Sequence, residues 1–407
     1  MSLTVRIAAG VLTLALSAAP LLAQTTRVEV LEQERAAKAT DLREYTPGRL
    51  EKWLLRGEQN DLFARLAPRN GFFVRYGFPE KPVGAGIGLG GGYRHDLFDR
   101  RARVVAEAGF SLRRYSLLRA DVSLPYLARE RAEVGVEVSR RQNPQEEFFG
   151  DGPDSLEADR TNFRLDTTAA IGRALVKPRT WLSAGVHAGR VAPSVGSGTD
   201  SLYPSSELRF GEEVLVGFSE QPDFRYTDAF ATIDYRDHSG NARAGGYYSV
   251  VLGSYADLDA DRYSFRRLDL HGQQFFPIFD KKRVFALQGR VITTSTDEGQ
   301  VVPFYFQPTL GGSTTLRSVS DFRFRDDNLL YLNAEYRWEA FSAMDMALFA
   351  DFGKVAPDAG DLDLTDLTHA YGIGLRFNTY KSVFLRLDVA TGAGEGLQYF
   401  LKFSKAF

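Results

Sequence analysis

Five histidines, His95, His187, His238, His271 and His369, are the first residues to weigh for chemistry, because imidazole titrates closest to neutral pH. None stands beside a nucleophile in a useful spacing. The chain has no Gly-x-Ser-x-Gly elbow, Ser313 sits in Gly-Gly-Ser-Thr instead, and no His and carboxylate spacing sets out a zinc site. Zero Cys removes thiolate nucleophiles, thiolate metal ligands and disulfides together. No enzyme, metal or cofactor is therefore expected, and His187 and His271 read as hydrogen-bonding residues. What remains is guanidinium and carboxylate chemistry. Arg317, Arg323 and Arg325 fall in a glycine-containing run from 310 to 326, and Glu335 and Asp351 follow it. Charge-assisted hydrogen bonds, often bidentate, are what these groups make best.

The elements that must position them show a period of two from about residue 71 to the end, the signature of strands with two unlike faces. Over 329–338 the apolar set Leu330, Leu332, Ala334, Tyr336 and Trp338 opposes Asn333, Glu335 and Arg337. Over 344–352 Met344, Met346, Leu348, Ala350 and Phe352 oppose Asp345, Phe349 and Asp351. Glu335 and Asp351 thus point into one interior from neighbouring strands. The same alternation sets Leu118, Ala120, Val122 and Leu124 against Arg119, Asp121 and Ser123, and sets Tyr371, Ile373, Leu375 and Phe377 against Gly372, Gly374 and Arg376. It also sets Val383, Leu385, Leu387 and Val389 against Phe384, Arg386, Asp388 and Ala390.

Connections alternate in length. Tight ones are expected at 97–100, 176–178, 279–281 and 378–380, and long polar ones at 142–160, 191–222, 295–327 and 354–367. A soluble sandwich would have similar connections at both ends; short turns on one side and long loops on the other belong to outer-membrane barrels. The 38 glycines, the 30 Phe and 18 Tyr, and the negative mean hydropathy agree with strands rather than apolar helices crossing a membrane. The fold class expected is all-β: a transmembrane antiparallel β-barrel of about sixteen strands, an even count that leaves both ends periplasmic.

Arg6 precedes an apolar run over 7–16 that is too short to span a bilayer and is followed by small residues to Ala23, so 1–23 reads as a cleaved signal peptide. Residues 24–70 read as a short helical periplasmic segment with Trp53, Leu54, Leu55, Phe63 and Leu66 as its apolar side chains, and 71–407 as the barrel. The 50 basic and 52 acidic residues are interleaved, which excludes a nucleic-acid partner. The outer membrane of a Gram-negative cell is the expected location.

The run Leu310-Gly311-Gly312-Ser313-Thr314-Thr315-Leu316-Arg317-Ser318-Val319-Ser320-Asp321-Phe322-Arg323-Phe324-Arg325-Asp326 resembles the bacterial surface antigen superfamily, which includes outer-membrane insertases and two-partner-secretion translocators. The resemblance extends to Asn333-Ala334-Glu335-Tyr336-Arg337-Trp338, Ala350-Asp351-Phe352-Gly353 and the third-loop segment Phe148-Phe149-Gly150-Asp151-Gly152. It implies that the sixth extracellular loop folds into the lumen and presents Arg317, with Leu316, Ser318 and Val319 in the family's tetrad. Ser318 stands where the family has Gly, and Val319 where it has an aromatic residue. It further implies Glu335 and Asp351 as the acidic partners of Arg317, and Tyr399, Leu401, Phe403 and Phe407 as the signal read by the barrel-assembly machinery. Lys405 departs from that signal. No room lies between Ala23 and Gly71 for a polypeptide-transport-associated domain, so a short branch of the superfamily is implied.

The function that follows is assistance to protein or lipid insertion or translocation across the outer membrane. Alternatives are a passive diffusion channel, constricted by the acidic stretch from Glu146 and Glu147 to Asp159, and a structural oligomeric barrel. Implied partners are outer-membrane lipid, the assembly machinery for the chain's own insertion, and a protein or lipid substrate; self-association stays open.

Overall fold

The computed structural model describes residues 70–76, 84–341, 343–378 and 383–402. The expected signal peptide and, apart from Asn70, the expected helical segment lie outside them. The first strands are β1 (Gly71–Tyr76), β2 (Gly88–Leu97), β3 (Ala102–Ser111) and β4 (Ser116–Tyr126). Three long ones follow, β5 (Ala132–Phe148), β6 (Thr161–Arg179) and β7 (Leu182–Ser197), then β8 (Phe224–Asp234), β9 (Gly245–Asp257), β10 (Phe265–Ile278) and β11 (Arg283–Ser295). Two short strands, β12 (Thr309–Leu310) and β13 (Phe324–Arg325), pair only with each other. The wall resumes with β14 (Asn328–Phe341), β15 (Met344–Ala356), β16 (Thr368–Asn378), β17 (Val383–Gly392) and β18 (Leu397–Lys402).

Leaving out β12 and β13, sixteen strands pair in chain order as one antiparallel meander. No ladder joins β1 to β18 among the described residues. The sheet is nonetheless rolled, because distant strands meet through their connections: Val383 N on β17 donates to Gly240 O after β8, at 3.0 Å.

The outward faces are apolar and exposed, as at Leu118 (57%), Leu252 (59%) and Ile373 (54%), while Asp121, Ser123, Asp345, Asp351 and Arg376 are buried within. A continuous apolar wall of this size has no place in water and matches the acyl region of a bilayer. Two residues depart from the simple alternation. Leu330 keeps its outward phase but packs under Ala356 and Leu362, and Val383 is buried beside a register shift at Asn378.

Turns at 98–101 and 279–282 fall where the sequence places them, each with three consecutive left-handed residues. The turn expected at 176–178 lies instead at Thr180 and Trp181, because β6 runs to Arg179. Pro178 is tolerated there inside a register shift between Val176 and Arg179, where no ladder donor is required. The long connections also begin later than expected. β5 reaches Phe148 and β7 reaches Ser197, with Pro144 falling inside a register shift between Asn143 and Glu146. Beyond the membrane the strands lose their apolar outward face, so the pattern fades before the hydrogen bonding does. By the short-turn rule the tight end is periplasmic and the loop end extracellular.

The core lies inside the barrel at the loop end. Leu310, Leu316, Val319 and Phe324 of the 296–327 connection pack on Ile292, Leu329, Tyr331 and Val355 of the wall. Phe304 and Tyr305 of the same connection join Phe148, Phe163, Val195 and Leu215.

Candidate lumen lock

Register on β14 to β17 builds the receiving surface. Asn333 pairs with Asp351, Glu335 with Phe349, Phe349 with Gly372, Gly374 with Asp388, and Arg376 with Arg386. Glycines 372 and 374 leave the space that makes this face concave. A Cβ on Gly372 would lie 2.3 Å from the Phe349 ring, and one on Gly374 would lie 2.2 Å from Asp388 Oδ1.

Arg317 enters this space from the 296–327 connection and is 1% exposed. Its Nε donates to Asp351 Oδ2 at 2.7 Å and its Nη2 to Oδ1 at 2.7 Å, a bidentate fork. Nη1 donates to Glu335 Oε2 at 3.3 Å, and the guanidinium lies 3.3 Å from the Phe349 ring centroid. Even the Arg317 backbone N–H points at Asp351, at 3.3 Å. Burial works against the charge, but Asp351 and then Glu335 outweigh it and hold the Arg317 pKa above the ordinary guanidinium value.

The structure thus brings together Arg317, Glu335 and Asp351. It adds residues whose inward phase was legible but whose role was not. Glu335 also accepts Arg337 Nε at 2.7 Å and Arg376 Nη2 at 3.0 Å. Asp388 accepts Arg376 Nη1 at 2.5 Å and pairs with Arg386, and it lies 3.8 Å from Arg317 Nη1. Arg386 Nη2 reaches the Ser313 carbonyl at 3.1 Å. Asn333 and Tyr331 complete Asp351. Four guanidiniums therefore share three carboxylates, all away from water.

Every motif residue of the connection has a definite place. Leu316 and Val319 are buried in its apolar cluster, and Ser318 Oγ donates to His369 O at 3.3 Å. Gly311 and Gly312 both have positive φ, and a Cβ on Gly312 would fall 1.7 Å from Asp321 Oδ1. Phe322 is itself left-handed and 9% exposed. Arg323 Nη1 donates to Ser155 Oγ at 2.8 Å and its Nε to Glu395 at 2.5 Å, while its guanidinium lies 4.5 Å from the neighbouring Phe324 ring. Arg325 Nη2 donates to Glu146 at 2.9 Å and stacks near Phe148 and Phe163. The Arg325 carbonyl accepts Gly152 N at 2.7 Å, tying the connection to the Phe148–Gly152 segment. Burial pushes the Asp326 carboxyl up to about 6, against the lowering effect of the Asp327 backbone N–H, while the charges of Asp327 and Asp358 add to the rise.

Within the acidic stretch expected to constrict a pore, Glu146 is engaged with Arg325, Glu147 with Arg160, and Asp159 with Arg209. His187 Nδ1 meets Asp228 at 2.8 Å, and His271 Nε2 meets Gln288 at 3.0 Å. No group of residues suited to a metal ion occurs among the described residues. Tyr399 and Leu401 face outward on β18; Phe403 and Phe407 lie outside the described residues.

A sixteen-stranded meander with an apolar outer face and a charged interior defines an integral outer-membrane β-barrel. The chain belongs to the Omp85 superfamily, whose domain matches residues 100–395. BamA from Haemophilus ducreyi lacking POTRA domains 1–3 is similar in structure, with a TM-score of 0.62 and 13% identity over 83% of this chain and 70% of that one. CdiB from Escherichia coli aligns with a TM-score of 0.50 and 13% identity over 82% of this chain and 61% of its own. At such identity the likeness is one of fold, and this chain spans less than two thirds of that CdiB. No curated protein matches.

Proposed function

We propose that this barrel assists the insertion or translocation of protein or lipid at the outer membrane, without catalysis of a covalent reaction, and that the 296–327 connection closes its lumen. The observation that carries the reading is the fork of Arg317 on Asp351, buried and cornered by Glu335 and Phe349. Such a clamp holds a loop in one position inside the barrel. A passive channel has no need of it, and three of the acids that would have tuned such a channel, Glu146, Glu147 and Asp159, are paired with arginines. Substrate and assembly partners belong to this proposal.

The test is reconstitution. Liposomes carrying the purified barrel are mixed with an unfolded outer-membrane protein, and its folding is followed by band shift on gels; a parallel set follows transfer of a fluorescent lipid between leaflets. Acceleration of either process, lost in Arg317→Ala, is the expected result. Rates equal to those of protein-free liposomes in both assays would overturn the proposal.

A further inference from the structure

The connection between β8 and β9 breaks the rule of its end of the barrel. Neighbouring periplasmic turns are tight, as at 279–282, whereas β8 ends at Asp234 and β9 begins only at Gly245. The intervening residues do not hang into solvent. Ala242 packs with Phe275, Val284 and Ala286 on the inner wall, and Asn241 is 5% exposed. Asp237 shapes the segment from within, accepting the backbone N–H of His238 and Arg243 at 3.0 Å and Lys281 Nζ at 3.0 Å.

Three contacts carry the segment across the mouth. Arg243 Nη2 donates to both oxygens of Asp345 on β15, at 2.7 and 2.6 Å. Arg243 Nη1 donates to Lys281 O at 2.9 Å in the β10–β11 turn. Gly240 O accepts Val383 N on β17. The gap left between Asn241, Phe275 and Arg337 is about 10 Å³, room for no more than about one water. Arg337 lines that gap and at the same time donates to Glu335, which accepts Arg317 from above.

We propose that residues 235–244 form a second closure of the lumen, clamped at the periplasmic mouth by Arg243 on Asp345 and linked to the Arg317 clamp through Arg337 and Glu335. The inference rests on the reading of the 296–327 connection as the first closure. Two closures in series conduct only when both are open, so releasing one leaves the path interrupted. Each is an arginine bonded to both oxygens of a buried carboxylate, and β14 carries Glu335 on the first and Arg337 lining the gap beside the second.

Planar-bilayer conductance of the full barrel tests this with Arg317→Ala, Arg243→Ala and the double variant, each shown folded by its heat-dependent gel shift. Each single variant is expected to stay closed or flicker, and the double variant to open steadily, with at least tenfold more time open than either. If Arg317→Ala alone conducts as steadily as the double variant, the periplasmic closure is overturned while the first closure stands. If Arg243→Ala alone matches the double variant, the first closure is overturned. If the double variant stays shut, the inference fails. A tether supplies an internal control, since the chain has no cysteine of its own. Ala242→Cys with Ala286→Cys, placed in the double variant, should close it on oxidation and reopen it with reductant; steady conductance in both states would overturn the proposal.

Discussion

Arg317→Ala tests the clamp most directly, and the structure says where the cost falls. Glu335 keeps Arg337 and Arg376 when Arg317 is removed, but Asp351 loses the only guanidinium hydrogen-bonded to it among the described residues, leaving Asn333 and Tyr331. Removing one partner of a buried ion pair costs about 3–5 kcal/mol, because the remaining charge is stranded. At about 1.4 kcal/mol per tenfold, the loop-in to loop-out equilibrium should shift by about two to three and a half orders of magnitude. Ser318→Cys gives a reporter beside the clamp, fully buried in the native barrel of a chain with no other thiol. Maleimide labelling of Ser318→Cys should accelerate at least a hundredfold when Arg317→Ala is added. Adding Asp351→Ala as well should slow it again, since the stranded carboxylate is gone. A labelling rate within threefold of the parent, with the barrel folded, would refute the argument that the ionic clamp holds the loop.

Glu335→Gln should destabilise the whole barrel and not the loop alone, because it leaves Arg337 and Arg376 as well as Arg317 short of charge; thermal unfolding in detergent should drop further than for Arg317→Ala. Arg317→Lys should not restore slow labelling, since an ammonium cannot fork on Asp351 across the Phe349 face. Gly372→Ala drives a Cβ to 2.3 Å from both the Phe349 ring and the Val389 carbonyl, so it should lower the melting temperature even when Phe349→Ala is added. Asp326 has its carboxyl raised to about 6 against an ordinary 3.8, so its contribution to the folded loop is full below about pH 4 and lost as pH rises through 6. Loop proteolysis should therefore be slower at pH 5 than at pH 8, and Asp326→Asn should reduce that difference, leaving the part due to Asp151, whose carboxyl burial pushes up to about 7.

The wall was legible because lipid imposes a strict period of two: Leu118 to Leu124 and Tyr371 to Phe377 face outward as their alternation requires. Legibility ended where that constraint ends. Beyond the bilayer β5 to β7 continue with polar residues on both faces, so Gln142 to Phe148 looked like loop although it pairs with β6. The phase of Arg376, Arg386 and Asp388 was equally readable, yet alternation assigns a side chain to a face and not to a partner. Arg376 reaches both Glu335 and Asp388 because a long guanidinium spans the space left by Gly374, a distance that sequence spacing does not encode. The glycines facing charged residues on adjacent strands were the available signal. The segment at 235–244 gave none, since Asp237, Ser239, Gly240 and Asn241 suit an exposed turn as well as a folded one.

The composition of the clamp bears on why it is ionic at all. The apolar cluster of Leu310, Leu316, Val319 and Phe324 already buries the loop, and a well-packed apolar residue at 317 would hold it at no desolvation cost. Desolvating four guanidiniums and three carboxylates offsets much of their mutual attraction, so net stability is a poor reason for the arrangement. Position is a better one. Hydrophobic contact tolerates sliding, whereas a fork on Asp351 fixes the loop in register with β15, and Glu335 fixes it on β14. A loop that must leave and return to one place gains more from a bond that is either made or absent than from contact that fades gradually. Replacing Arg317 and Asp351 together by Met and Leu, which leaves Glu335 to Arg337 and Arg376, should therefore leave thermal stability near that of the parent while broadening the loop's positions, seen as several labelling phases for Ser318→Cys where the parent shows one.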